Sequence, residues 1–290
     1  MKLLPFPSID DFDVLSKMKD NPKIGSQPYI THEYQLMFDQ YNNYINYQGN
    51  PWACVGNNIS GNLKDRLAKH YSSPYDELKY INIIREKGSP DVCPMCGSLK
   101  SGTVDHLLPK TDYPEWAIFS KNLVPACDCN VKRRADVKGA SFFQRVLHPY
   151  YDNCLNSRIV KLELSADLNN PDMKIIPISV SNISIMTIQY HINTVIIRSG
   201  IFDWLNEKWQ VMRKRPRTVI SGIPRGDTVI TMTQLEEYLS DTLDCKDEEH
   251  GTPNNWYSIL IYGIKQSSDA KNWLLNRHNG IITESIDPFE

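Results

Sequence analysis

Two closely spaced cysteine pairs constrain this chain more than any other feature of its sequence. Cys93 and Cys96 are separated by two residues and followed by glycine, and Cys127 and Cys129 form a second pair downstream. A Cys-x-x-Cys-Gly turn directs both sulfurs at one ion, and two pairs supply the four ligands of a tetrahedral site. We therefore predict a structural Zn²⁺ that stabilises a small core otherwise short of apolar residues.

The second pair departs from the usual spacing, because one residue rather than two separates Cys127 from Cys129. Either both thiolates ligate the metal through a tight turn, or only one does and another group completes the site. The chain has seven cysteines, which in 290 residues do not indicate a disulfide scaffold. Three of them are scattered and are predicted to be semi-buried thiols, namely Cys54, Cys154 and Cys245.

The composition is that of an ordinary globular protein, with 41% hydrophobic and 23% charged residues. The net charge is −2 and the isoelectric point is near 6.4, so any contact with nucleic acid must come from a local basic patch or from a partner. The apolar runs are too short to cross a bilayer, and the start of the chain lacks a signal-peptide pattern. We expect a cytoplasmic protein without a membrane partner.

Residues suited to hydrolysis lie between the two cysteine pairs. Asp105 and His106 are adjacent at the end of a predicted strand, where neighbouring side chains face opposite sides. Hydrolysis of a phosphodiester needs an activated water and a cation that neutralises charge on the phosphate. The ordinary pKa of histidine suits His106 to act as general base, and Asp105 is a hard oxygen ligand for Mg²⁺ or Mn²⁺.

Two asparagines and a basic run complete the predicted site. Asn122 precedes a second short strand, where its amide is expected to hold a loop and orient His106. Asn130 lies at a predicted helix start, and its amide oxygen is expected to be a second metal ligand facing Asp105. The basic residues in the first turns of that helix are predicted to contact phosphate oxygens, namely Lys132, Arg133 and Arg134.

The order of these residues resembles the HNH endonucleases of the ββα-metal fold, in the branch with zinc-binding cysteines. The resemblance spans residues 93–134 and rests on the series Cys-x-x-Cys, Asp-His-x-x-Pro-Lys, Asn-Leu-Val-Pro-x-Cys and Cys-Asn. It implies that Asp105 and Asn130 hold the catalytic divalent ion, that His106 is the general base and that Asn122 fixes the loop. It also implies a zinc ligand set of Cys93, Cys96, Cys127 and Cys129.

Three further residues extend this expected site. Lys110 ends the Asp-His motif and is expected to join the contacts with nucleic acid. His148, together with Asp152, is the alternative metal ligand. If it binds no metal, His148 is expected to have a structural role. The common form of the family has two residues between the last cysteines and often a histidine at the final catalytic position, where this chain has one residue and an asparagine.

The predicted fold class is α+β, with a small zinc-pinned ββα-metal nuclease core embedded in a mostly helical protein. We divide the chain into a mostly helical region over residues 1–88, a nuclease module over 89–150, and a mainly helical region with short strands near its start over 151–290. The first region is expected to brace the module.

Local patterns in the flanks predict further elements. Helical spacing of apolar residues favours helices, alternation favours strands, and an acidic run is typical of a solvated loop. Before the centre, helices are predicted at 31–47, from a cap at Asn62 onward, and from Ser73-Pro74 to a cap at Gly88. After it, strands are predicted at 158–164 and 173–180, followed by a helical segment at 185–213 that breaks near Gly200. The remaining predictions are a helix that opens with a capping box at Thr233–Glu236, a loop at 244–249, and helices at 256–265 and at 269–277, the last of which ends before Asn279-Gly280.

The residues favour an endonuclease that acts on DNA with a single divalent metal. The slightly acidic chain and the uncharacterised flanks favour recruitment or control by a partner, such as an ATPase or a sensor protein of a prokaryotic antiviral or restriction system. Two alternatives stay open. One is a zinc-stabilised module that binds nucleic acid or protein without catalysis, and the other is a metal-dependent RNase on the same scaffold.

Overall fold

The computed structural model describes residues 1–86, 90–224 and 228–288, and there the protein is α+β with a mainly helical body. Within these residues the strands form two separate antiparallel pairs. The predicted α+β class in a mostly helical protein is therefore confirmed, and the ββα-metal nuclease core stays a prediction. In the same described residues, no helix combines the length and apolar character needed to cross a membrane.

Five helices form the N-terminal region. The predicted helix at 31–47 is split into two at Glu33. Ser60, rather than Asn62, caps the fourth helix, because the Ser60 side chain accepts a hydrogen bond from the Leu63 amide. The predicted cap at Gly88 lies outside the described residues. The helices are α1 (Asp11–Asp20), α2 (Tyr29–His32), α3 (Tyr34–Asn46), α4 (Gly61–Ser72) and α5 (Tyr80–Glu86).

Two short strands and a short helix form the centre of the molecule: β1 (Thr103–His106), β2 (Leu123–Ala126) and α6 (Cys129–Arg133). β1 and β2 pair antiparallel, with Asp105 opposite Val124 and His106 opposite Leu123. β2 is buried along its whole length, so it anchors the pair in the core. The loop between the strands and the start of α6 both lie close to the end of β1, where the predicted site residues are.

The region after the centre contains the predicted strands and the broken helix. The strands are β3 (Val160–Leu164) and β4 (Met173–Pro177), and the helices are α7 (Ile185–His191) and α8 (Ile201–Lys214). A π-helical segment and a short 3₁₀ turn connect α7 to α8 and end at Gly200. Gly200 has a φ of +89°, a left-handed conformation that glycine adopts without strain, so the predicted break is in the right place.

Three helices complete the chain: α9 (Met232–His250), α10 (Trp256–Gln266) and α11 (Ser268–Ile282). The predicted capping box was wrong by two residues, because Thr231 and Gln234 form it. The predicted loop at 244–249 is helical instead, since α9 continues through it to His250, with Asp247 half-buried and paired with Arg158 at 2.7 Å. α11 runs past Asn279, whose side chain bonds to the backbone of Ile230.

The N-terminal helices brace the loop between β1 and β2. The buried carboxylate of Asp11 accepts hydrogen bonds from the amide and hydroxyl of Ser120 at 2.8 and 2.7 Å, and it pairs with Lys121 at 2.9 Å. Trp116 donates its indole N–H to the carbonyl of Gln40 at 2.9 Å. These contacts agree with the bracing role expected of residues 1–88. The three predicted domain boundaries stay predictions, and the first falls beside residues 87–89, which lie outside the described part.

Candidate metal centre and the adjoining Asp–His site

The four paired cysteines converge on one point. Their sulfur atoms all lie within 4.8 Å of one another, and all four residues are buried. The Sγ atoms of Cys93 and Cys129 are 3.7 Å apart, and those of Cys96 and Cys127 are 3.5 Å apart. A tetrahedral Zn²⁺ with Zn–S bonds of about 2.3 Å separates its sulfurs by about 3.8 Å, so this donor set fits zinc closely.

Both members of the irregular second pair belong to the cluster. Cys127 follows directly after β2 and Cys129 begins α6, so the change from strand to helix at Asp128 turns both sulfurs to the same side. The Cys129 amide lies 3.4 Å from the Cys127 sulfur, and the Cys127 amide lies 3.4 Å from the Cys93 sulfur. The alternative in which only one of the two cysteines faces the metal is not favoured by this geometry.

The first cysteine pair sits in a tight turn that only glycine can close. The Gly97 amide donates to the carbonyl of Cys93 at 2.9 Å, and Gly97 has a φ of +81°. A Cβ at Gly97 would overlap the carbonyl oxygen of Asn254. The turn is therefore set both by its own hydrogen bond and by close packing against the C-terminal region.

Side chains from the C-terminal region hold the same turn from outside. Trp256 donates its indole N–H to the carbonyl of Cys96 at 2.9 Å. The ring of His191 is buried and donates from Nε2 to the carbonyl of Met95 at 2.7 Å. These contacts could not be read from the sequence, because the partners are far apart along the chain.

The His106 imidazole has a fixed orientation. It is buried, and its Nε2 lies 2.8 Å from the carbonyl oxygen of Ala117. Because a carbonyl only accepts, Nε2 must carry the proton, which leaves Nδ1 as the ring atom with a lone pair. This Nδ1 lies 3.5 Å from Oδ1 of Asp105.

The Asp105 carboxylate is the partly exposed member of the pair, with 31% of its side chain accessible. The sequence places the two side chains on opposite faces of the strand, but in the structure their polar atoms approach each other, because Oδ1 turns back to accept the His106 amide at 2.7 Å. Burial tends to raise the pKa of Asp105, but the interactions with His106, including the hydrogen bond from its backbone amide, and the charge of Arg133 outweigh it, so the pKa lies below its ordinary value. Asp105 is therefore an anion at neutral pH.

Asn122 ties the loop between β1 and β2 together. Its fully buried amide accepts from the Leu108 amide at 2.8 Å and donates to the carbonyls of Leu108 and Trp116 at 3.0 and 3.1 Å. Trp116 directly precedes Ala117, whose carbonyl holds the His106 ring. Asn122 and His106 thus bond to neighbouring carbonyls of the same loop, and the orienting role of Asn122 stays a prediction.

Asn130 lies beneath the end of β1. Its amide nitrogen donates to the carbonyl of His106 at 3.1 Å, and its oxygen accepts from Nε of Arg133 at 2.9 Å. That bond occupies one of the two lone pairs of the oxygen predicted to bind the metal. In the described residues, no third His, Cys, Asp or Glu joins Asp105 and His106 in a cluster suited to metal binding. A second ligand from Asn130 stays a prediction.

The four basic residues predicted to contact phosphate lie in different settings. Arg133 is buried rather than exposed, and it donates to the carbonyls of His106 and Leu107 at 3.2 and 2.9 Å, so its charge acts from inside the protein. Lys132 is exposed and pairs with Asp128 at 2.8 Å. Arg134 is exposed at the end of α6, and Lys110 is half-buried. In the part of the chain that the structure describes, neither Lys110 nor Arg134 forms an ion pair, whereas Lys132 would have to leave Asp128 to meet a phosphate.

Two residues near Asp105 were not predicted as part of the site. The ring of Tyr71 lies 4.3 Å from the ring of His106, measured between centroids. Arg85 on α5 and Lys110 both lie over the ring of Tyr71, at 5.8 and 4.4 Å from its centroid. The sequence carries no signal for this grouping, because α4, α5 and the Asp-His motif meet only in the tertiary structure.

His148, the alternative metal ligand, is fully engaged elsewhere. Its Nδ1 accepts from the Tyr150 amide at 3.1 Å, and its Nε2 lies 3.0 Å from the hydroxyl of Tyr44. Burial lowers the pKa of His148 to about 3, so the ring is neutral. Asp152 pairs through both oxygens with Arg145 at 2.7 Å. Neither side chain belongs to the cysteine cluster or to the Asp105–His106 pair, so the structural role is the one this geometry supports.

Replacement of Tyr44 by phenylalanine is expected to destabilise the protein by about 1–3 kcal/mol. The Tyr44 hydroxyl donates to the Asn122 side-chain oxygen at 3.0 Å and accepts from His148, so its loss removes the partner of the buried His148 Nε2 and one of the two hydrogen bonds to the Asn122 oxygen. Denaturant unfolding monitored by circular dichroism measures the change. Tyr47→Phe is the control, because Tyr47 is half exposed. Equal unfolding free energies for the two variants would contradict the prediction.

Comparison with known proteins gives a limited similarity. The chain is similar to Protein ea31 of Escherichia phage lambda, with 33% identity over 91 residues. The match covers 26% of this chain and 31% of that protein, so the chain spans about a third of the curated relative. No protein-family model matches the chain, and no solved structure matches it significantly.

Proposed function

We propose that this protein is a metal-dependent endonuclease of the HNH type, with a ββα-metal core, that hydrolyses phosphodiester bonds in DNA. The observation that carries the proposal is the Asp105–His106 pair beside the cysteine cluster. A buried imidazole whose Nε2 is fixed by a carbonyl presents Nδ1 as a proton acceptor, 3.5 Å from a partly exposed carboxylate. The name of the phage relative states no activity, so the proposal rests on the site alone.

His106 acts as the general base in this proposal. Its Nδ1 takes a proton from a water molecule, whose oxygen forms a new bond to phosphorus. The bond from phosphorus to one sugar oxygen breaks, and that oxygen takes a proton from solvent. The products are a phosphate monoester on one side of the cut and a hydroxyl on the other. Asn122 keeps the base in place through the loop that carries the Ala117 carbonyl.

Asp105 is the residue best placed to hold a catalytic Mg²⁺ or Mn²⁺. It is anionic and partly exposed, and Mg²⁺ commonly binds through one or two carboxylates together with water and phosphate oxygens. When bound, the cation would neutralise charge that develops on the phosphate. Arg133 adds a buried positive charge close to Asp105, and Lys110 adds a second one from the loop.

The cysteine cluster holds the structural Zn²⁺ in this proposal and fixes the relative positions of β1, β2 and α6. Recruitment by an ATPase or a sensor protein of an antiviral or restriction system is part of the proposal, and the net charge of −2 supports it. A chain without an overall positive charge gains little from non-specific attraction to DNA.

A cleavage assay on several nucleic acids tests this function. We expect the zinc-loaded protein to nick or linearise plasmid DNA with Mg²⁺ or Mn²⁺, and EDTA added during the assay to stop it. Linear duplex DNA, single-stranded DNA and RNA are assayed in parallel. Cleavage of RNA alone would assign the RNase alternative. An intact, zinc-containing protein that binds nucleic acid and cuts none of these substrates would assign the binding module without catalysis.

A further inference from the structure

A cavity of about 620 Å³ opens between α4 and Lys110, a residue of the loop that follows β1. Its basic lining consists of Arg66 and Lys69 from α4 and Lys110 from the loop. The sequence favoured a bracing role for the N-terminal helices. The cavity gives α4 an additional surface that faces away from the core.

The cations of this cavity are available for a ligand. Arg66 and Lys69 are exposed, and within the described residues no side chain forms an ion pair with either of them. Asp65 is the acidic residue of the lining, so three positive charges face one negative charge. Glu77 lies near His70 in the cavity wall, but its carboxylate accepts a hydrogen bond from Asn21 at 2.8 Å. The balance of charge favours an anion.

His70 is an unusual member of the cavity wall. It is buried, and neither ring nitrogen has a hydrogen-bonding partner among the described residues. Burial and the charge of Arg66 lower the pKa of His70 to about 4, so at neutral pH the ring has one N–H to donate. Buried polar groups are nearly always paired, so an unpaired ring in this wall calls for a partner from outside the chain. The ring of Tyr75 packs edge-on against it, with 5.0 Å between centroids.

The side chain of Tyr71 connects Lys110 in the cavity wall to His106, the predicted general base. The ammonium group of Lys110 lies 4.4 Å from the centroid of the Tyr71 ring, and the same ring lies 4.3 Å from the His106 ring, measured between centroids. Each strand of DNA carries a phosphate about every 3.4 Å along the helix axis. A strand whose cleaved phosphate lies at His106 therefore places one of the next phosphates beside Lys110.

We propose that this cavity is a binding subsite for the backbone of DNA, in which Arg66, Lys69 and Lys110 contact phosphates next to the one that is cleaved. The subsite rests on the proposed nuclease function. It gives a chain with a negative net charge a local basic surface that reaches, through Lys110, to the electrostatic neighbourhood of Asp105. It also assigns α4 to substrate binding in addition to its bracing role.

The test measures DNA binding in the full chain without cleavage. The parent is the zinc-loaded His106→Ala protein, and the test variant adds Arg66→Gln and Lys69→Gln. The matched control adds Lys161→Gln and Lys174→Gln, which remove the same charge from the separate β3–β4 pair. Fluorescence anisotropy with a short duplex gives the dissociation constant over a range of salt concentrations. Zinc content and thermal unfolding show that each variant is folded.

We expect the test variant to bind roughly 10-fold more weakly at low salt and to lose about 1.8 from the slope of log K against log salt, since each phosphate contact contributes about 0.9. The control is expected to keep the parent's affinity and slope. Equal behaviour of the test and control variants would overturn the subsite, as would a parent that binds RNA but no DNA. A test variant that loses DNA affinity in a protein whose unmutated form cuts nothing would support the subsite and refute the nuclease function.

Discussion

Replacing Cys93 by serine is expected to abolish stoichiometric zinc binding and to unfold the segment around β1, β2 and α6. The four sulfurs lie within 4.8 Å of one another and join the turn at Cys93 to the start of α6. A structural Zn²⁺ contributes an apparent free energy of about 10 kcal/mol or more. A whole domain is stable by only about 5–15 kcal/mol, so little stability remains after the metal is lost.

Metal analysis and thermal unfolding measure this effect together. The wild-type protein should contain one zinc per chain, and a strong chelator should reproduce the melting behaviour of Cys93→Ser. Cys245→Ser is the matched control, because Cys245 is exposed and lies outside the cluster. Cys127→Ser and Cys129→Ser should each be as damaging as Cys93→Ser if both ligate. A Cys93→Ser protein with full zinc content and an unchanged melting temperature would refute the zinc site.

Replacing His106 by alanine is expected to reduce DNA cleavage by roughly 100-fold to 10,000-fold, the usual contribution of a general base. The reason is that Nδ1, the acceptor left by the Nε2 bond to Ala117, is removed while the cysteine cluster is untouched. Initial rates of plasmid nicking with saturating Mg²⁺ or Mn²⁺ measure the loss. Zinc content and unfolding show whether the fold has survived.

A second histidine provides the control for His106. His278 is buried and its Nε2 also lies within hydrogen-bonding distance of a carbonyl, that of Thr228 at 3.2 Å. His278→Gln should keep the wild-type cleavage rate. His106→Gln, which keeps a donor for the Ala117 carbonyl but has no imidazole, should be as inactive as His106→Ala. Cleavage by both His106 variants at the wild-type rate would mean that the base lies elsewhere.

The spacing of a few residues was sufficient to predict that the four paired cysteines form one cluster. Cys93 and Cys96 lie in one tight turn, and a turn of this length keeps its two sulfurs close together, although contacts from the C-terminal region also hold it. The spacing of Cys127 and Cys129 left open whether both sulfurs face the cluster, because that depends on whether the strand can change directly into a helix between them. Only the structure answered it, by placing both sulfurs in the cluster.

Elements with strong local signals were also predictable. The strands at β3 and β4 and the break at Gly200 follow from alternation and from the freedom of glycine. The predicted loop at 244–249 was wrong because its acidic residues indicated exposure, and exposure is compatible with the outer face of a helix. Asn279 was read as the end of a helix, but its side chain is held by Ile230, a residue of another segment.

The sequence by itself determined which side chains are candidates for chemistry: the cysteine donors, the Asp105–His106 pair and Asn122, because their spacing along the chain is short. Only the tertiary structure decided which of the predicted site residues form contacts inside the protein. In the structure, the oxygen of Asn130 and the guanidinium of Arg133 form internal hydrogen bonds, and His148 contacts Tyr44. The same tertiary contacts place α4 beside Lys110. These outcomes depend on contacts between distant segments, which no local pattern encodes.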